Sequence, residues 1–76
     1  MTFREGGRYA VYGADNAPIG IIDGDEFIRS DSGQLLYRID GTEVYTAGPN
    51  AKPLGELEGL TARTPSGGVL FTLKAD

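Results

Sequence analysis

The chain has no cysteine, no histidine and no tryptophan among its 76 residues. Without cysteine there are no disulfides, and without cysteine or histidine the usual zinc ligand sets are missing. The same two absences remove the base of a Ser-His-Asp triad and the thiol nucleophile of a Cys-His pair. The stretch from Met1 to Gly7 contains no apolar run, so the sequence shows neither a signal peptide nor a spanning helix. With no thiols and no leader, the expected location is the cytoplasm of a bacterium or phage host. Basic charge is also scarce: seven Lys and Arg face eleven Asp and Glu, for a net charge of −4. Such a surface repels phosphate, which argues against nucleic acid and against anionic membranes as partners. Uninterrupted helix-forming windows are missing as well. Twelve Gly and four Pro are spread along the chain, and the stretches free of both, such as 25–32, 34–40 and 69–76, are too short for three helical turns.

What the chain does have is an internal repeat. Val11-Tyr12 matches Val44-Tyr45, Asn16-Ala17 matches Asn50-Ala51, and Pro18-Ile19-Gly20 matches Pro53-Leu54-Gly55. Asp23-Gly24 then matches Glu58-Gly59, while Arg29 and Ser32-Gly33 fall opposite Arg63 and Ser66-Gly67. The two copies span 8–41 and 42–75, after an N-terminal tail of residues 1–7, in a single domain. Each copy divides again, because an apolar residue, a Gly or aromatic, any residue, an apolar residue, an acid and a Gly recur in order. The pattern appears as Ile19-Gly20-Ile21-Ile22-Asp23-Gly24, Leu36-Tyr37-Arg38-Ile39-Asp40-Gly41 and Leu54-Gly55-Glu56-Leu57-Glu58-Gly59. It decays at Leu70-Phe71-Thr72-Leu73-Lys74-Ala75.

The half-repeats predict eight short strands, near 8–13, 19–23, 26–30, 35–40, 43–47, 54–58, 60–64 and 69–74. Asp23-Gly24 and Asp40-Gly41 read as type I′ hairpin turns, because Gly accepts the positive φ that such turns need. Every connection is short, so neighbours pair antiparallel in a meander. The fold class is therefore all-β, a small closed or nearly closed barrel; a two-layer sandwich and a short hairpin solenoid are the alternatives. Closure is favoured because it removes exposed strand edges. Alternation places Leu35, Tyr37 and Ile39, or Val69, Phe71 and Leu73, on the buried face, with Arg38, Glu56 and Thr72 exposed. Val11, Ile28, Val44 and Ala62 complete the core. At the central inward position the half-repeats read Gly20, Tyr37, Gly55 and Phe71, small against large, as expected if two rings cannot share one layer and each covers a Gly.

The run Ile28 to Gly41 resembles a unit of the Tyr-Asp hairpin repeats in large bacterial shell-forming toxins, although the Tyr-Asp pair itself is missing. The repeat pattern is also similar to the hairpin solenoids of cell-wall-binding modules, which rely on tryptophan cages that this chain lacks. Neither likeness assigns a family.

Chemistry-bearing constellations are few. The acids Asp23, Asp25, Glu26, Asp40 and Glu43 surround hairpin turns without the spacing of a calcium loop. Pairs such as Asp25 with Glu26, or Glu56 with Glu58, have no cleft in which to separate their pKa values if the barrel is filled by its own side chains. No catalytic residue, metal ligand or cofactor site is therefore expected. The odd strands place Tyr12, Arg29, Tyr45 and Arg63 at equivalent outward positions, a candidate surface for partner binding. The reading that follows is a non-enzymatic interaction module that holds a protein partner, or a second copy of itself, through a strand edge or the Tyr/Arg face. A small-ligand or carbohydrate-binding barrel and a structural subunit of a phage or secretion particle are the alternatives.

Overall fold

The computed structural model describes residues 3, 4 and 6–75. Eight strands run in chain order: β1 Arg8–Gly13, β2 Pro18–Asp23, β3 Phe27–Arg29, β4 Leu35–Asp40, β5 Glu43–Thr46, β6 Pro53–Glu58, β7 Thr61–Arg63 and β8 Val69–Ala75. Each pairs antiparallel with its neighbours, and β8 returns to β1 over five residue pairs from Tyr9↔Ala75 to Gly13↔Phe71, closing the barrel. Sandwich and solenoid are thereby excluded. Every strand has a neighbour on each side, so closure leaves no edge strand among the described residues.

The four hairpins are near-copies of one another. In each, the second strand carries one extra residue opposite the same point of the first: Ile19, Leu36, Leu54 and Leu70. These bulges re-aim the strand and sharpen its twist, which lets so small a sheet curl shut. The loop closures repeat too. Gly13, Ser30, Thr46 and Thr64 donate their N–H to Ala17, Gln34, Lys52 and Gly68, at 2.8, 2.8, 3.0 and 2.8 Å. Between hairpins, Ile39, Leu57 and Leu73 donate to the carbonyls of Glu26, Thr42 and Leu60.

Two tight turns differ from the type I′ expectation. Asp40 pairs with Glu43 and Glu58 with Thr61, so Gly41 and Gly59 take the first central position with φ of 63° and 62°. Thr42 and Leu60 follow with no positive φ. A Gly first and an ordinary residue second is the type II′ arrangement, which equally suits strand twist. The third link is longer: Gly24, Asp25 and Glu26 separate β2 from β3.

The core is Tyr9, Val11, Ile22, Ile28, Ile39, Val44, Leu57, Ala62, Phe71 and Leu73, all apolar or nearly so. Val11, Ile28, Val44 and Ala62 lie inside as the alternation requires. Leu35 is an exception, at 43% exposure, as is Val69, half-buried and outside the core at the equivalent position. Leu35 precedes the bulge, which reverses the inside-outside phase, so Leu36 turns toward the core and Leu35 toward water, as Pro18 and Pro53 do at the equivalent positions. Arg38 and Thr72 are half-buried rather than exposed, while Glu56 is exposed.

The ring-and-glycine pattern works differently from the interleaving expected. Tyr37 and Phe71 meet each other inside the barrel, with ring centroids 4.9 Å apart and planes tilted by 42°. Their contact is of the offset kind that aromatic quadrupoles favour. Gly20 and Gly55 are covered by backbone instead: a Cβ at either would overlap the carbonyl of Arg29 or Arg63. Glycine is thus needed where the end of β3 folds across β2, and again where β7 folds across β6.

Candidate functional site

Tyr12, Arg29, Tyr45 and Arg63 all sit on odd strands, and in the closed barrel no two of those strands are neighbours. They are spread around the circumference, each in its own setting. Tyr12 has the Lys74 ammonium 4.7 Å from its ring centroid. Tyr45 donates its hydroxyl to the Glu43 carboxylate, and this bond, first among the causes, raises the phenol above its ordinary pKa. The Arg63 guanidinium reaches the Gly67 carbonyl at 3.1 Å and Glu58 at 3.6 Å.

Arg29 is the member with the most distinctive surroundings. Its Nη1 lies 2.5 Å from Asp25 Oδ2, and its guanidinium stands 5.8 Å from the centre of the Phe27 ring. Asp25 Oδ1 also accepts from the Phe27 N–H at 3.0 Å, which fixes the carboxylate at the start of β3. The bond from Arg29 is the largest influence on Asp25 and, against an opposing desolvation and with help from the Phe27 N–H, holds it below the ordinary carboxylate range.

Register places Arg29 in an outward row. Ile21 of β2 pairs with Arg29, and Arg29 pairs with Leu35 of β4. Opposite residues on antiparallel strands share a face. Ile21 and Leu35 are the large hydrophobic residues that stand exposed among the described residues, at 40% and 43%. Close to them in the chain, Ile19 and Leu36 line a hollow of about 420 Å³ with Ser30 and Tyr37. The second copy carries Glu56, Arg63 and Val69 at the matching places. The barrel therefore tolerates a carboxylate where Ile21 stands, so packing does not demand an apolar side chain there.

On its other flank Arg29 borders a groove of about 510 Å³ at one end of the barrel. Phe3, Phe27 and Ile39 supply its apolar surface, and Asp25, Glu26 and Asp40 its carboxylates. Phe3 belongs to the N-terminal segment, which is anchored by ring packing on Tyr9 at 5.2 Å and by the Arg4 N–H donating to the Tyr9 hydroxyl at 2.9 Å. Arg38 of β4 holds Glu26 at 3.2 Å and reaches Asp40 at 4.0 Å. Further round, Asp40, Glu43 and Glu56 stand opposite one another in register on β4, β5 and β6. No three carboxylates among the described residues converge closely enough to hold a metal ion.

Sequence reasoning singled out Arg29 but missed Ile21, Leu35, Phe27 and Phe3. Ile21 carried one available signal: its counterpart in the second copy is Glu56, a loss of symmetry that strand propensity does not explain. Comparison with known proteins adds no relative: no family model, no curated protein and no solved structure matches the chain.

Proposed function

We propose that the protein is a non-enzymatic interaction module that holds a protein partner on the outer face of β2, β3 and β4, centred on Arg29. The exposed row Ile21–Arg29–Leu35 supports this reading, because two large apolar side chains stand in water beside an arginine and the place matching Ile21 in the second copy carries Glu56 instead. Arginine is among the residues that concentrate binding energy in protein interfaces, and flanking apolar side chains exclude water around it. Tyr12, Tyr45 and Arg63, placed elsewhere on the circumference, serve in this reading as cover for strand backbone rather than as contact residues.

The test is comparative capture followed by reconstitution. Wild-type protein and Ile21→Glu, which copies the second repeat, are immobilised and exposed to extract from the source cells, and a captured protein is then purified and its affinity measured by calorimetry. The expected result is binding to wild type that weakens at least tenfold for Ile21→Glu and is unchanged for Tyr12→Ala. Equal affinity for wild type and Ile21→Glu would overturn the proposed face. Light scattering across a concentration series addresses self-association: a mass that doubles for wild type and not for Ile21→Glu would identify the partner as a second copy.

A further inference from the structure

We propose that the groove beside Arg29 takes a lysine or arginine side chain of the partner segment whose apolar residues cover Ile21 and Leu35. The inference rests on the interaction face described above and names the chemistry of what binds there.

The groove is concave and of a size suited to a side chain or small ligand, where pockets of about 300–1,000 Å³ are usual. Its walls combine aromatic and aliphatic surface from Phe3, Phe27 and Ile39 with three carboxylates, Asp25, Glu26 and Asp40. Methylene stems of lysine or arginine lie well on such surface while the charged head reaches a carboxylate. The groove already displays this recognition with a group of its own: the Arg29 guanidinium faces the Phe27 ring and binds Asp25. That pair consumes one carboxylate and one cation. Glu26 and Asp40 then share Arg38, closer to Glu26 at 3.2 Å than to Asp40 at 4.0 Å, and Arg38 is not part of the groove wall. Among the described residues Asp40 has the weaker contact, and three carboxylates beside two arginines leave the groove net negative, on a chain of net charge −4. An anionic group is repelled there, and a neutral one forgoes the charge interaction.

Continuity with the apolar row comes from Arg29 itself, which lies between Ile21 and Leu35 in register and also lines the groove. A segment seated on the row therefore has the groove within reach of an adjoining side chain. The occupant is a cationic, apolar stretch of a partner protein rather than a second copy, since two copies of −4 each oppose one another.

The probe is the capped hexapeptide acetyl-Leu-Lys-Leu-Lys-Leu-Lys-amide, with its Leu-Glu counterpart and phenethylammonium as controls, titrated into the full chain and followed by amide chemical shifts. The lysine peptide is expected to shift Gly24, Asp25, Glu26, Phe27 and Asp40 together with Ile21 and Leu35, and to lose affinity as salt rises. Asp40→Asn combined with Glu26→Gln should weaken it by about fivefold or more with the remaining spectrum unchanged. Equal binding of the glutamate peptide, shifts confined to the Glu43 and Glu56 row, or phenethylammonium binding as tightly as the peptide would each overturn the inference. If Ile21→Glu weakens partner capture while the lysine peptide leaves the groove unshifted, only the groove assignment fails. If Ile21→Glu leaves capture untouched, the face itself fails.

Discussion

Replacing Gly20 by alanine puts the barrel's tightest point to the test. In an ordinary extended position, Gly→Ala stabilises by about 0.4–1 kcal/mol, because the unfolded chain loses freedom. Here the added methyl would overlap the Arg29 carbonyl, and the obstacle is backbone rather than the end of a flexible side chain. Relief requires β3 to move away from β2, and those strands share one registered pair, Ile21↔Arg29. Overpacking costs about 1–3 kcal/mol and a lost hydrogen bond about 1 more, so a destabilisation of about 3 kcal/mol is expected. Against a total of about 4–11 kcal/mol for a chain of this length, that is a large fraction. It lowers the melting temperature by about 12–24 °C. Urea unfolding followed by far-ultraviolet circular dichroism measures it, with an unchanged m-value showing that the same barrel unfolds. Gly55→Ala should cost the same within about 1 kcal/mol, because its Cβ meets the Arg63 carbonyl in the equivalent way. Gly68→Ala is the control: its Cβ meets only the Thr64 hydroxyl, at 3.3 Å, and the change should stay within about 0.5 kcal/mol of wild type. A Gly20→Ala protein as stable as the Gly68→Ala control would refute the close crossing of β3 over β2.

Phe71 is fully buried against Tyr37, so Phe71→Ala should cost about 3–5 kcal/mol, enough to leave much of the protein unfolded at 37 °C by circular dichroism. Asp25 is held below the ordinary carboxylate range by Arg29, so its contribution is complete above about pH 4 and disappears as pH falls through the lowered value. With both side chains more than a third exposed, that contribution is at most about 1 kcal/mol; Asp25→Asn should be less stable than wild type at neutral pH by this amount, and the gap should close as acid protonates Asp25. A gap that persists in acid would contradict the ion pair. Tyr45 is raised above its ordinary value by its bond to Glu43, so its phenol keeps its proton to higher pH than a free tyrosine does. Ultraviolet titration of Glu43→Gln should bring this phenol back toward the ordinary range; an unmoved curve would show that Glu43 is not the cause.

Much of the fold was readable because it is written in local signals. Gly and Pro spacing excludes helices, turn residues mark each reversal, and four half-repeats reinforce one reading of strand number and core phase. The misreading of Leu35 has a specific origin. Period-two alternation is blind to a bulge, and the extra residue Leu36 inverts the phase for everything before it. The same step recurs at Ile19, Leu54 and Leu70, so the doubled apolar pair Leu35-Leu36, matched by Val69-Leu70, was its trace in the sequence. The four-residue Tyr/Arg set was legible as a list of equivalent positions, yet its grouping was not, because equivalence in a repeat says nothing about adjacency.

The amino-acid order alone determined the number of strands, their antiparallel succession and most of the apolar interior, since each depends on residues near one another in the chain. Tertiary structure decided which ring meets which, why Gly20 and Gly55 must stay bare, and that Ile21, Arg29 and Leu35 form one row beside an acidic groove. Those facts arise when β8 closes on β1 and the bulges fix how far each strand curls over the next. Closure sets distances between residues far apart in the chain, and no local propensity carries that information.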